Sequence, residues 1–204
     1  MKLEFRQRIA LAATVALLAL PLGPAAMPPS PATAVPMSVA AVEDSNRTSA
    51  STPTPNQSAL AQYIAATYRK PVRYARDIVR TTVEVAQKYA LPPNLLLAIM
   101  AKESGFDESA RSTYGARGLM QVVPRYHMGR LQRNETKSSF KEPRTNIRVG
   151  AHILAEYLAA HKDLDAALKQ YSGSSRGYSR AVRTKWDKFE KVGQHEQAAI
   201  PEPS

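Results

Sequence analysis

The chain has 204 residues, of which 44% are hydrophobic and 22% charged, a composition typical of a globular protein and too apolar for a wholly disordered one. It contains no cysteine, which excludes a disulfide framework, thiolate metal ligands and a cysteine nucleophile. There are only four histidines and no HExxH motif, so no metal site is predicted. The net charge of +11 favours an anionic partner such as a nucleic acid, a phospholipid surface or an acidic polymer.

The start of the chain has the pattern of a secretory signal peptide. Its first eight residues carry three basic side chains, and an uncharged apolar run follows as far as Leu20. That run is shorter than the roughly 20 residues that a membrane-spanning helix needs. We expect a signal peptide at 1–34 and export to the periplasm or cell envelope. Cleavage after Ala26, Ala34 or Ala40 remains open, and so does a retained N-terminal anchor.

Residues 35–58 are rich in Pro, Ala, Ser and Thr and nearly free of aromatic side chains. Such a segment cannot bury enough apolar surface to offset the entropy lost on ordering, so a disordered linker is predicted there. The end of the chain, 193–204, is predicted to be a flexible tail for the same reason. One folded domain is therefore expected over 59–192, with no stable membrane span once the signal is removed.

Helical periodicity dominates the predicted domain. Apolar residues recur at i, i+3, i+4 and i+7 over 75–89, and the pair Pro92-Pro93 is expected to end this helix and begin the next. Residues 94–101 are apolar almost all round, which indicates a buried central helix.

Three more helices are predicted further along the chain, over about 146–161, 164–171 and 178–192. Asn146 and Asp163 are expected to cap the first two of them. The stretch between 106 and 121 is punctuated by glycines and lacks clean periodicity. The predicted fold is therefore mostly α-helical, with a small irregular β region after Glu103.

Glu103 stands at the end of the most apolar predicted helix. Partial burial there raises the pKa of a carboxyl group, and a carboxyl that stays protonated near neutral pH can act as a general acid. From its position alone, a helix-terminal glutamate that faces solvent is an equally open interpretation.

The residues around Glu103 form a more specific pattern. Lys102-Glu103-Ser104-Gly105 is followed by Gly115-Ala116-x-Gly118-Leu-Met-Gln121, and then, in order, by Asn146-Ile-x-x-Gly150, Ala167-Leu-Lys-Gln-Tyr171-Ser-Gly173 and Tyr178-x-x-x-Val182. Over about 71–192 the chain resembles the soluble lytic transglycosylase (SLT) domain. This domain has a lysozyme-like fold of the goose type, and it cleaves peptidoglycan glycan strands.

The resemblance implies roles for five residues. Glu103 matches the catalytic acid and base, and Gly118 matches a close-approach glycine in the floor of the cleft. Ser112, Gln121 and Tyr171 match positions that line the glycan cleft. The implied reaction needs no cofactor. Glu103 protonates the glycosidic oxygen between N-acetylmuramic acid and N-acetylglucosamine and then deprotonates the muramyl 6-hydroxyl, which closes a 1,6-anhydro ring.

The chain departs from the family pattern at three places. Val123 stands where the family often has Met, and Ser172 stands where it commonly has Asn. The loop containing Ser174 and Ser175 is short and lacks the acidic residue of some longer members. These changes affect expected sugar contacts and leave Glu103 in place.

Other functions are weighed against this one. A hydrolytic muramidase of goose-type character would need a second carboxylate, for which Glu156, Asp163 and Asp165 are candidates. Asp107 and Glu108 are expected in a solvated turn. A non-catalytic peptidoglycan-binding scaffold is a further alternative. A nucleic-acid partner is not expected, because no recognition motif is present.

The cellular role has two possible forms. One is general turnover of the wall. The other is local opening of the wall for an envelope-spanning secretion, pilus or flagellar assembly, which the small size of the chain favours.

Overall fold

The structure, a computed structural model, describes residues 53–195, and helices account for most of them. The predicted signal peptide and most of the predicted linker lie outside the described residues. The α-helices are α1 (Pro55–Tyr68), α2 (Val72–Lys88), α3 (Pro93–Glu103), α4 (Pro124–His127), α5 (Pro143–His161), α6 (Leu164–Tyr171) and α7 (Tyr178–His195). Two 3-10 helices, Met128–Arg130 and Lys137–Lys141, lie between α4 and α5.

Helix α3 is the centre of the fold. Every residue from Leu95 to Ala101 is buried, which confirms the predicted central helix. Helix α3 packs against α7 and α2, α1 lies against the same two helices, and α5 joins α2 to α6. Pro93 occupies the first turn of α3. Backbone amides of the first turn have no hydrogen-bond acceptor within the helix, so a proline there costs no helical hydrogen bond. Glu103, at the other end, is carried to the edge of this core.

Helix α1 begins earlier than predicted. Thr54 caps it, since its hydroxyl accepts from the Gln57 amide and the Gln57 side chain accepts from the Thr54 amide. Residues 55–58, assigned to the linker from composition, are therefore helical. The Pro and Thr that suggested a linker form the helix start.

The later helices follow the prediction closely. Asp163 caps α6 by accepting from the Ala166 amide at 2.8 Å, as expected. Helix α5 starts at Pro143 with Glu142 at the cap, so the expected capping role of Asn146 is wrong. Helix α7 continues to His195, which brings the first three residues of the predicted tail into the helix.

The predicted β region is reduced to two isolated bridges in the part of the chain that the structure describes, Arg111 with Arg117 and Arg117 with Val122. The mostly α-helical fold class is confirmed. Among the helices of residues 53–195, none is both long and apolar enough to cross a membrane.

Candidate active site

Glu103 is the last residue of α3, and its side chain is half-buried. Burial raises the pKa of its carboxyl above the ordinary value. The hydrogen bond from Tyr178 and the charge of neighbouring Lys102 act in the opposite direction but do not cancel the effect of burial. The carboxyl therefore holds its proton to a higher pH than an ordinary glutamate does.

Tyr178 is the partner of this carboxyl, and the sequence analysis assigned it no role. Its hydroxyl donates to Glu103 Oε1 at 2.5 Å, across 75 residues of chain. Tyr178 begins α7 and is 5% exposed, and burial raises the pKa of its hydroxyl above the ordinary value. It therefore remains a neutral donor to the carboxylate at physiological pH.

A tight turn, Gly118-Leu-Met-Gln121, lies beside the end of α3. The Gln121 amide donates to the Gly118 carbonyl at 3.1 Å, and Arg117 and Val122 exchange two backbone hydrogen bonds behind the turn. Leu119 and Met120 point inward and are fully buried. Both side chains therefore pack in the core.

Three side chains from different parts of the fold hold the backbone of Leu119 and Met120 in this turn. Ser104, at the end of α3, donates to the Leu119 carbonyl at 2.8 Å. Asn146 of α5 accepts from the Met120 amide at 2.8 Å. Tyr171 of α6 donates to the Met120 carbonyl at 3.0 Å. The turn is therefore fixed in position relative to Glu103.

Gly118 is needed for close packing against α5. It has φ +73°, in the left-handed region that favours glycine, and a Cβ there would stand 2.5 Å from Asn146 Nδ2. Asn146 is fully buried and donates to the carbonyls of Arg117 and Phe140, both at 2.8 Å. A side chain at position 118 would thus collide with Asn146 in the protein interior. The predicted contact of Gly118 with the substrate remains a prediction.

Tyr171 is one of the predicted residues that the structure brings close to Glu103. Burial, followed by the charge of Glu103, raises the pKa of the Tyr171 hydroxyl well above its ordinary value. Because this hydroxyl donates to the Met120 carbonyl, Tyr171 holds the turn and leaves Tyr178 as the hydrogen-bond partner of the acid.

Gln121 and Ser112 lie on the same loop, and both stabilise it. Gln121 donates to the carbonyls of Ala110 and Gly118, at 3.2 and 2.9 Å. Ser112 is exposed, and its hydroxyl accepts from the Ala116 amide at 3.0 Å. Their predicted sugar contacts would add to these structural roles.

Two of the departures from the family pattern have local structural roles. Val123 precedes Pro124 at the start of α4. Ser172 ends α6, donates to the Lys169 carbonyl at 3.0 Å and accepts from the Ser175 amide at 3.2 Å. Ser172 thereby shapes the short loop that leads to Tyr178.

The other candidate carboxylates are engaged away from Glu103. Glu156 pairs with Arg130 and His152, and Asp165 pairs with Arg183. Asp107 accepts from the Ser109 amide and hydroxyl in a turn, which holds its pKa below the usual range, as expected for a turn residue. Within residues 53–195, no group of three or more potential ligands is arranged to hold a metal ion.

Comparisons with known families and proteins show what this chain is similar to. A sequence model of the family described as the transglycosylase SLT domain matches residues 81–192. The match begins inside α2 and ends in α7, so it contains all of the site residues described above.

Two curated proteins are similar over shorter ranges. A transglycosylase from Enterobacteria phage PRD1 is 30% identical over 98 residues, which is 48% of this chain and 35% of that protein. The membrane-bound lytic murein transglycosylase C of Actinobacillus pleuropneumoniae serotype 5b is 45% identical over 51 residues, 25% of this chain and 14% of that protein. The matches thus span about a third or less of these relatives.

Among solved structures, an inactive mutant of the lytic transglycosylase Slt from Pseudomonas aeruginosa is 25% identical, with a TM-score of 0.41. The match covers 58% of this chain and 22% of that one.

Proposed function

Because this chain belongs to the transglycosylase SLT domain family, we propose that it is a peptidoglycan lytic transglycosylase. It would cleave the β-1,4 bond between N-acetylmuramic acid and N-acetylglucosamine and leave 1,6-anhydromuramyl ends. The observation that carries this proposal is the half-buried Glu103 carboxyl, whose raised pKa suits a residue that acts first as acid and then as base.

In the first step, protonated Glu103 gives its proton to the glycosidic oxygen. The bond from that oxygen to muramyl C1 breaks, and the N-acetylglucosamine end leaves with a 4-hydroxyl group. In the second step, the Glu103 carboxylate takes the proton of the muramyl 6-hydroxyl. The oxygen of that hydroxyl bonds to muramyl C1 in the same step. Glu103 is protonated again at the end, and no water is consumed.

Tyr178 acts as a positioning residue in this scheme. Its hydroxyl donates to the Glu103 carboxylate, so it stabilises the charged form that exists between the two steps. Burial favours the neutral form that begins and ends the cycle. The two opposed effects keep both protonation states accessible to one carboxyl.

The partners of the three candidate second carboxylates favour this reaction over hydrolysis. Retaining and inverting glycosidases use two carboxyl groups, about 5–5.5 or 6.5–9.5 Å apart. The candidates Glu156 and Asp165 are held in ion pairs, and Asp163 caps α6. A hydrolytic muramidase would need one of them to leave its partner.

The proposal is tested by digesting purified peptidoglycan with the mature protein and, in parallel, with Glu103→Gln. Mass spectrometry should find 1,6-anhydromuramyl products, each one water lighter than the hydrolytic product, from the unsubstituted protein only. Reducing-end products would instead establish the muramidase. Binding to sacculi without cleavage by either protein would establish the scaffold.

The predicted location follows from the substrate. Peptidoglycan lies in the cell envelope, so the enzyme would have to be exported to reach it, to the periplasm if the envelope has one. Association with a secretion, pilus or flagellar assembly stays a prediction from the sequence.

A further inference from the structure

A cavity of about 810 Å³ lies between α6 and α7, under the loop that connects them. It opens to solvent, and its lining is mostly basic and hydroxylic. The residues that give it this character are Lys169, Ser174, Ser175, Arg176, Arg180 and Arg183.

The cavity holds more positive charge than its own carboxylates neutralise. Asp165 and Asp187 also line it, and Asp165 pairs with Arg183 at 2.7 Å. Lys169, Arg176 and Arg180 are exposed, and within residues 53–195 none of them forms an ion pair. Neighbouring like charges repel one another, and an anion bound among them would relieve that repulsion.

One side chain connects the cavity with the acid, since Tyr178 lines the cavity and also donates a hydrogen bond to Glu103. A muramyl sugar placed for cleavage at Glu103 carries a lactyl group and a peptide stem with free carboxylates. An extended stem of three to five residues reaches roughly 10–18 Å, at about 3.3–3.6 Å per residue. The stem is therefore long enough to pass Tyr178 and enter the cavity.

We propose that this cavity binds the carboxylates of the muramyl peptide stem, so that the enzyme prefers peptide-bearing glycan to bare glycan. The inference rests on the proposed function. Arginine guanidinium groups pair with carboxylates through two parallel hydrogen bonds, and Arg176 and Arg180 supply two such groups. The hydroxyls of Ser174 and Ser175 add donors on the loop side.

The experiment compares two substrates, peptide-bearing glycan strands and the same strands stripped of peptide by an amidase. It compares three full-length proteins, the unsubstituted chain, Arg176→Ala/Arg180→Ala, and Arg73→Ala/Arg76→Ala. The last variant removes the same charge from the exposed face of α2 and serves as the matched control.

We expect the unsubstituted chain and the control to show a KM roughly tenfold lower for peptide-bearing strands, which is about 1.4 kcal/mol of binding. In Arg176→Ala/Arg180→Ala the ratio of the two KM values should fall toward one. Arg176→Lys/Arg180→Lys, which keeps the charge, should retain part of the preference.

Equal KM values for the two substrates in the unsubstituted chain would overturn the inference. Equal losses in the two double-alanine variants would also overturn it, because general attraction to a basic surface would then explain the preference. The Kd values for the two substrates are also measured with Glu103→Gln, and their ratio is compared with the KM ratio. A binding measurement does not need turnover. If neither substrate is cleaved, the proposed function fails, and the Kd ratio still decides whether the cavity binds the stem.

Discussion

The half-buried Glu103 carboxyl should lower the stability of the fold at neutral pH. Its pKa is higher in the folded chain than in the unfolded one, so the unfolded chain loses this proton first as the pH rises. Below the pKa of the unfolded chain the carboxyl is protonated in both states and the fold has its full stability. As the pH rises from there toward the pKa of the folded chain, the free energy of unfolding declines. Glu103→Gln removes the charge and keeps a hydrogen-bond acceptor for Tyr178.

We thus expect Glu103→Gln to unfold at a higher temperature than the unsubstituted chain at pH 7. The gain should shrink as the pH falls to about 4, where the glutamate is itself protonated. Thermal melts across this range measure it, and Glu108→Gln, on an exposed turn, supplies the baseline for losing a carboxylate. A gain that grows toward low pH would contradict the raised pKa.

Tyr178 should set where the activity declines at high pH. Its hydrogen bond lowers the pKa of Glu103, so Tyr178→Phe should raise that pKa further and move the alkaline limb of the kcat/KM profile to higher pH. Tyr171→Phe is the control, because the Tyr171 hydroxyl donates to Met120 instead of to the acid. A limb that moves to lower pH, or moves equally in both variants, would rule out this role.

How far the site can be predicted from sequence depends on whether its contacts leave a local pattern. Glu103 stands out because it ends an apolar helix, and the Gly118–Gln121 turn is marked by its glycine. Tyr178 is missed because its hydrogen bond spans 75 residues, which no spacing rule detects. Asn146 is misassigned as a cap for a related reason, since its three partners lie on other segments.

At the scale of elements, the attachment of the Gly118–Gln121 turn to α5 depends on one side chain. Asn146→Ala leaves the Met120 amide and the Phe140 carbonyl without a partner, while the Arg117 carbonyl keeps the Val122 amide. Each unsatisfied buried group costs about 1–3 kcal/mol, so we expect the free energy of unfolding to fall by about 2 kcal/mol or more, measured by urea denaturation. Asn134→Ala, at an exposed position, should change little.

The helices that are long enough to show a periodic pattern are predicted well from the sequence. Helices α2, α6 and α7 each have a buried stripe at helical spacing, and α3 is apolar almost all round. The structure has all four where they are expected. Helix α4 has four residues, which is about one turn and too short for a period. The start of α1 differs from the prediction because the Pro and Thr that are typical of a linker also occur in the Thr54 and Gln57 capping pattern.

For the whole molecule, the folding unit should extend beyond the region that defines the family. The family match begins at residue 81 and omits α1 and half of α2, which bury Leu60, Ile64, Ile78 and Val79. Each such side chain contributes about 1.5–3 kcal/mol when buried, and together they approach the 5–15 kcal/mol that holds a typical domain.

We therefore expect residues 53–195 to unfold cooperatively in urea and residues 81–195 to show no cooperative transition. Circular dichroism and near-ultraviolet signals measured on both fragments test this. Equal midpoints for the two fragments would show that α1 and the first half of α2 are dispensable.

The hydrogen bond between Glu103 and Tyr178 also means that the proposed site is completed late in the synthesis of the chain. A chain is made from its N-terminus, so α3 emerges with the acid while its partner is still 75 residues away. At roughly 5–20 residues per second this delay is about 4–15 s. A chain that stops before α7 carries the acid without the neighbour that orients it. The proposed acid and its hydrogen-bond partner are thus brought together only after the start of α7 has been made.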